Sequence, residues 1–428
     1  MFWGHLLTTA IEVHLNQLKS TSTLRSEAEK RLVQSVRHAG RHVAYYRDCF
    51  RQAGVNMDSF KGPEDLKKLP FLTKDDVRNA FPDRIVADGT DIETCHYSAT
   101  TGSTGRSLPF IYSPKTFAFY LSTNLRVYTM IGYKPWYTCC YIKYTAMDPM
   151  NVGPLFRFHH IPSVAPIEQQ IAMLKQHRPD FIDGYASIIH EISRRMTGED
   201  LKLIRPKMIL CNSEMSTVHQ RNAISEVFGC PVYDEYSTEE TWMVASLCKK
   251  QRYHLFTDNV WVEFLDPDGN EVKPGEPGEM VLTTLRSPAM PFIRYRIGDI
   301  GRLSTETCDC GSPFPVLESF EGRADDSFIL ADGTYISSLK ILNTFTMFIK
   351  KYLHLMEEFR VIQETKDRVT IELVKGKEYD DARFKEVTDA LSTLFRHQVT
   401  ITVTQVEAID LKGKIKRKAI ESRVNGKP

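Results

Sequence analysis

The sequence predicts an α/β protein in two unequal parts: a large N-terminal domain of α/β layers with a β-rich hairpin region, and a small mobile α+β C-terminal domain. Three observations lead there. Helix-period and strand-like segments alternate between Ile167 and Tyr233. From about Val260 the texture changes to alternating strands broken by turn residues, and from Arg368 the order is strand, helix, strand. The boundary falls near Gly322-Arg323-Ala324-Asp325-Asp326 and divides the 428 residues into 1–324 and 325–428.

In chain order, residues 1–20 read as an amphipathic first helix, and apolar residues recur at helical spacing from Leu24 to Ala44 and around Phe50. Pro70-Phe71-Leu72 is extended, and Thr73 is positioned to cap the helix that follows. Helices are predicted over Ile167–Lys175 and Ala186–Met196, a short buried strand over Met208–Cys211, a capped helix over Ser216–Phe228 and a strand from Pro231. Asp268-Gly269 sits between two alternating stretches as a hairpin turn, and Glu279–Thr284 is a further strand. Arg368–Val374, Asp380–Phe395 and Val399–Thr404 form the terminal strand, helix and strand.

Composition excludes several classes. Hydrophobic residues make up 42% and charged residues 25%, as in an ordinary globular chain. With only 23 Gly and 21 Pro, collagen-like and low-complexity chains are excluded. Lys and Arg number 55 against 54 Asp and Glu, so there is no bulk charge to attract nucleic acid or an anionic membrane. The run Lys412–Lys418 is only locally basic. No window reaches about 18 uninterrupted apolar residues, so no spanning helix is expected. Nine scattered cysteines without a secretory leader point to a reducing cytoplasm.

The segment Tyr97–Ser107 interleaves Gly with small hydroxyl residues, so that backbone N–H groups can converge on an anion while Arg106 adds a cation. Taken alone it reads more readily as a solvated turn, and its spacing is not that of a Walker A loop. Arg294–Asp299 places a carboxylate after a tight turn, suited to two ribose hydroxyls or to a surface ion pair. Tyr236–Glu240 offers an aromatic face for a base and carboxylates for Mg²⁺, or else a helix N-terminus with Ser237 or Thr238 as cap. Gly413-Lys414 offers an ammonium in a basic tail.

Their order is more telling than any one of them. TTGSTGR (100–106), CNSE (211–214), EYSTEE (235–240), GEPGEMVLTTL (275–285), MPFIRYRIGD (290–299), CDCG (308–311), GRADD (322–326) and GKIKR (413–417) together resemble the adenylate-forming superfamily of acyl-CoA synthetases, in its phenylacetate–CoA ligase-like branch. The resemblance runs from about Asp65 to the end of the chain. It implies that Thr101, Gly102, Ser103, Thr104, Gly105 and Arg106 hold the ATP phosphates. Asn212, Ser213, Glu214, Tyr236, Ser237, Asp299 and Arg323 would contact adenine and ribose. Glu240 would hold Mg²⁺, with Glu239 as the register alternative; Asp325 would be the hinge; and Lys414 would bridge the acyl carboxylate and the α-phosphate. Lys414, Glu240 and Thr104 are thus the implied catalytic residues. Ser237, Glu239 and Arg106 depart from the family's usual Gly, Thr and Lys, and Tyr137–Met150 matches it poorly.

The implied reaction is ATP-dependent activation of a carboxylic acid, aryl or arylacetic, to an acyl-adenylate, followed by transfer to coenzyme A. A carrier-protein thiol or an amine is the alternative acceptor. Relatives place the acyl group where Tyr137, Tyr141, Gly184, Tyr185, Ala186 and Glu235 stand here, and they are often homodimers. Cys248, His254, Cys308 and Cys310 have the donors of a closed structural Zn²⁺ site, or are reduced core residues. A zinc-containing nucleic-acid-binding protein is the remote alternative, opposed by the near-zero net charge.

Overall fold

A computed structural model of the chain describes residues 2–100, 108–143, 146, 154–214, 216–323, 328–336, 338–352, 355–409 and 419–424. The first helix, Phe2–Asn16, lies on the long helix Pro114–Ile131, where the Thr9 and Ser122 hydroxyls meet at 2.8 Å. Asn16 donates to Asp258 Oδ2 at 2.8 Å, and the same oxygen pairs with Arg126 at 2.7 Å, both charged side chains being fully buried. The second helix, Thr21–His42, starts where Ser20 Oγ accepts from the Thr23 N–H, and turns Leu24, Ala28, Leu32, Val36 and Ala39 inward at the expected spacing. Thr73 caps Lys74–Ala80, and Asp76 returns the bond to the Thr73 N–H, completing a capping box.

Among the described residues, one sheet of eleven strands forms the centre. In spatial order these are Val260–Leu265, Pro277–Thr284, Tyr295–Leu303, Val316–Arg323, Tyr253–Leu255, Trp242–Leu247, Val232–Thr238, Met208–Asn212, Phe181–Tyr185, Thr138–Lys143 and Arg157–Pro162. The last five are mutually parallel, and each remaining neighbouring pair is antiparallel. The α/β layers and the hairpin region therefore share a single sheet, joined at Val232–Thr238.

Strand alternation divides the parallel half into two faces. Cys140, Ile142, Ile182, Ile209, Cys211 and Val232 pack against Ile171, Leu174, Ile189, Ile192, Ile224 and Phe228 from three helices. Cys139, Tyr141, Phe181, Leu210 and Tyr233 face Val127 and Ile131 of the long helix. The helix expected from Ser216 begins at Val218, with Thr217 as its cap. Ser216 instead turns into the core and donates to Asp234 Oδ1 at 2.7 Å, which satisfies a buried carboxylate.

Beyond residue 327, helices Ser338–Lys351 and Asp381–Leu394 accompany a four-stranded sheet ordered Thr400–Gln405, Arg368–Lys375, Met356–Thr365, Ile420–Ser422. Its core, from Phe328 to Ile420, is drawn entirely from its own residues. Arg194 reaches it from the larger part, donating to the Glu357 carbonyl at 3.2 Å. No helix among the described residues is long and apolar enough to cross a membrane.

Candidate active site

The Gly/Ser/Thr segment joins two antiparallel strands, His96–Thr100 and Leu108–Tyr112, with Thr100 opposite Leu108. Thr101, Gly102, Ser103, Thr104, Gly105 and Arg106 themselves lie outside the described residues, as do Asp325, Lys414 and the side chain of Arg323. The hairpin is anchored by Tyr112, whose hydroxyl donates to the Glu239 main-chain carbonyl. This ties the open end of the hairpin, four residues from the segment, to EYSTEE, well over a hundred residues away in sequence.

EYSTEE is not a helix N-terminus. Glu235 to Thr238 complete a strand, a turn follows in which the Thr238 hydroxyl accepts from the Thr241 N–H at 3.0 Å, and Trp242 begins the antiparallel return. Within this turn Glu239 is exposed and Glu240 is buried, its Oε1 accepting from the Tyr295 hydroxyl at 2.7 Å. Of the two register alternatives, Glu240 is the inward carboxylate, a hard-oxygen donor that suits Mg²⁺.

Asp299 does not follow a tight turn either. It lies within Tyr295–Leu303, where Gly298 at φ +87° accompanies shifts of register against both neighbouring strands. Such a bulge re-aims a side chain. Asp299 accepts from the Tyr236 hydroxyl at 2.5 Å and stands opposite Arg323 in the ladder. Tyr236 in turn stacks on Phe320 at 4.9 Å between ring centres.

Asn212, Ser213 and Glu214 follow the end of the Met208–Asn212 strand, where Ser213 takes φ +64°. Glu214 accepts from the Ser187 N–H at the start of the neighbouring helix. Tyr185 and Asn212 are register partners, so both turns open at the C-terminal edge of the parallel strands, where ligands collect in open α/β sheets.

The residues expected around the acyl group are not all brought together. Tyr185 and Glu235 stand at this edge, with the buried Tyr141 one pleat below. Ala186 is buried against the helices of the opposite face. At Gly184 a Cβ would lie 2.8 Å from Ile142 Cβ, so glycine is explained there by the approach of two strands. Tyr137 precedes Thr138–Lys143 and sits at the other end of the sheet, its ring 4.2 Å from the Lys207 ammonium.

Sequence reasoning missed Lys143 and Asp183. Asp183 is 4% exposed and accepts from Tyr128 OH at 2.5 Å and from Asn212 Nδ2. Lys143 donates to Asn212 Oδ1 and, at 2.9 Å, to Ser213 Oγ. Each is one residue on a different strand, and no local spacing announces the group.

The cysteine–histidine set does converge. One donor atom from each of Cys248, His254, Cys308 and Cys310 lies within 4.8 Å of the others. The Cys310 sulfur is 3.2 Å from His254 Nε2, and the Cys248 and Cys308 sulfurs are 3.8 Å apart. His254 Nδ1 is 2.8 Å from the Phe314 carbonyl, a contact that assigns the proton to Nδ1 and leaves Nε2 as a donor to metal. Backbone N–H groups of Lys250 and Ser312 point at the Cys248 and Cys310 sulfurs, each at 3.4 Å, as suits thiolates. Three sulfurs and one imidazole fit a closed tetrahedral zinc site.

No family model matches the chain. Curated relatives do. It is 28% identical over 323 residues to the phenylacetate-coenzyme A ligase of Thermus thermophilus, covering 72% of each chain. It is 29% identical over 337 residues to that of Aromatoleum evansii, covering 73% of each. Among solved structures, 2-hydroxyisobutyryl-CoA ligase in the postadenylation state, bound to an acyl-AMP, superposes with a TM-score of 0.78 at 20% identity, over 95% of this chain and 90% of that one. The same enzyme in its thioesterification state, with an acyl-AMP and CoA, gives 0.64 over 95% and 91%. The likeness of fold extends over 95% of the chain.

Proposed function

We propose, for a chain that is a relative of the phenylacetate–coenzyme A ligases within the adenylate-forming superfamily, that it condenses a carboxylic acid with ATP to an acyl-adenylate and then passes the acyl group to coenzyme A. The observation that carries this reading is the meeting of Tyr236 and Asp299, on a segment whose Glu239 carbonyl also accepts from Tyr112 of the Gly/Ser/Thr hairpin. In this reading, three segments distant in sequence supply the base, ribose and phosphate contacts.

The chemical problem is that one anion attacks another. Little covalent help is available, so rate comes from positioning and from cations placed where charge accumulates. In this reading Thr101–Arg106 hold the phosphates, Asn212, Ser213, Glu214, Tyr236 and Ser237 line the base, and Asp299 and Arg323 engage the ribose. Glu240 holds Mg²⁺, which supplies positive charge against the phosphates when bound. Lys414, carried by 325–428 and swung about Asp325, sets its ammonium between the acyl carboxylate and the α-phosphate. Residues 1–324 bind ATP and the acid, and closure of the smaller unit excludes water from a hydrolysable adenylate.

The acid is aryl or arylacetic, in keeping with Tyr141 and Tyr185 near the edge. Cys248, His254, Cys308 and Cys310 hold a structural Zn²⁺ that fastens the loop after Trp242–Leu247 to the one before Val316–Arg323. The nine cysteines, none of them in a disulfide, support a reducing, cytoplasmic setting.

Self-association completes the proposal. Trp3, Leu7, Ile11 and Leu15 run along one face of the first helix, Leu18 follows in the turn beyond it, and each is more than half exposed. Two such faces in contact would remove this apolar surface from water, the driving force for a homodimer.

Incubation with ATP, Mg²⁺, an acid panel and either CoA, a phosphopantetheinylated carrier or a simple amine, read by mass spectrometry, tests the reaction. Acyl-CoA with matching AMP supports it; acylated carrier or amide alone moves the acceptor; no AMP with any combination removes it.

A further inference from the structure

The face of the parallel sheet that carries Cys139, Tyr141, Phe181, Leu210 and Tyr233 changes character at the C-terminal edge. One residue further along each strand's alternation stand Lys143, Asp183, Asn212 and Glu235. This edge is where the acyl group is read to sit. An unsubstituted aryl ring would meet charged and amide groups there and would strip them of water without replacing it.

The way these groups are bonded shows what they would accept. Both oxygens of Asp183 are occupied by neutral donors, Tyr128 OH and Asn212 Nδ2. The Asn212 amide then turns its oxygen to Lys143, whose other partner is Ser213 Oγ. Lys143 and Asp183 are thus linked through an amide and not paired directly. The ammonium has three N–H donors, and the third has no acceptor among the described residues. It also lies 5.4 Å from the Tyr185 ring, on the acyl side of the adenine-contacting turn.

Glu235 stands beside this group, and burial with the Asp183 and Asp234 carboxylates raises it above its ordinary value, against the opposing pull of Lys143 and a Ser237 hydrogen bond. The edge offers the third N–H of Lys143, and the partner it suits is an oxygen acceptor.

We propose that Lys143, held in place by Asn212 and Ser213, is the specificity-determining residue of the acyl pocket and selects an aryl or arylacetic acid that bears a second oxygen function beyond the reacting carboxyl. This rests on the adenylation reading above and names the substrate class within it.

The test uses the full chain and acid-dependent pyrophosphate release. Matched acids are compared: phenylacetic acid, its ring-hydroxylated forms and its ring-carboxylated forms, which separate a neutral acceptor from an anionic one. At least one substituted acid is expected to exceed phenylacetic acid tenfold or more in kcat/KM. Lys143→Met is expected to reduce that ratio at least tenfold, chiefly through the KM of the substituted acid, and Lys143→Arg to retain much of it. Folding of each variant is checked by thermal melting.

Flat selectivity in the parent chain overturns the proposal while leaving adenylation intact. Equal losses on all acids in a folded Lys143→Met variant also overturn it, because they mean that Lys143 only supports the Asn212 turn. If no acid is turned over, the adenylation reading falls and takes this one with it.

Discussion

The Tyr236 hydroxyl donates to Asp299 Oδ2 at 2.5 Å, although the two residues lie 63 positions apart. The bond fixes the carboxylate read as the ribose acceptor against the ring read as the adenine platform. Asp299→Ala should raise the KM for ATP at least tenfold, since a hydrogen bond to a charged group is worth about 1.5–3 kcal/mol. Tyr236→Phe keeps the stack on Phe320 but removes the bond that holds the carboxylate, so it should raise that KM by a smaller factor than Asp299→Ala. Steady-state kinetics at saturating acid decide, and an unchanged ATP KM in Asp299→Ala removes the assignment.

The cysteine–histidine cluster should hold about one zinc per chain after mild purification, because a closed three-sulfur, one-imidazole site binds tightly. Cys310→Ser should lower both the metal content and the melting temperature while leaving the KM for ATP within about twofold, as a staple remote from the nucleotide requires. Elemental analysis of the parent chain returning less than about 0.2 zinc would end the idea.

What the sequence made legible follows from how local each signal is. The helix cap at Thr73, the hairpin at Asp268-Gly269 and the four cysteine and histidine donors are short patterns, and all three are in place, the donors converging. EYSTEE and RYRIGD were recognisable as motifs, but their local structure was not. A strand edge and a bulged strand present the same Ser, Thr and Asp residues that cap helices and turns. Lys143 and Asp183 were invisible, because their meeting with Asn212 depends on three strands lying side by side. Tyr137 matched by position alone, and the direction of the following strand carries it to the far end of the sheet.

The buried pair Arg126–Asp258 should matter for stability. Burial alone would raise the Asp258 carboxyl, but the Arg126 charge and the bonds from Arg126 and Asn16 outweigh it and hold the group below its ordinary value. Asp258→Asn leaves an unpaired guanidinium in the core and should cost about 3–5 kcal/mol. With the folded-state value depressed, the carboxylate's contribution is present above the unfolded value, about 3.9, and fades as pH falls through the folded one. Urea unfolding of both chains from pH 7 down to pH 3 should show the gap narrowing only at the acid end. A constant gap contradicts the assignment.

The exposed stripe of the first helix gives a test of self-association. Leu7→Glu with Ile11→Glu places charges in the middle of this face, so sedimentation should show a dimer in the parent chain and a monomer in the double variant. Melting of the variant is expected to stay close to that of the parent monomer, because both side chains already face solvent. A parent chain that is monomeric at tens of micromolar removes the interface.

The central claim is that the chain adenylates a carboxylic acid with Lys414 as the cation at the reacting centre. Acid-dependent exchange of labelled pyrophosphate into ATP, run without CoA on the parent chain and on Lys414→Ala, isolates that step. The account predicts exchange that requires an acid and falls by about two orders of magnitude or more in the variant, as expected when a preorganised charge is removed from the transition state, while thioester formation from supplied acyl-adenylate survives. Exchange that ignores the acid, or a variant that exchanges as well as the parent, would contradict it.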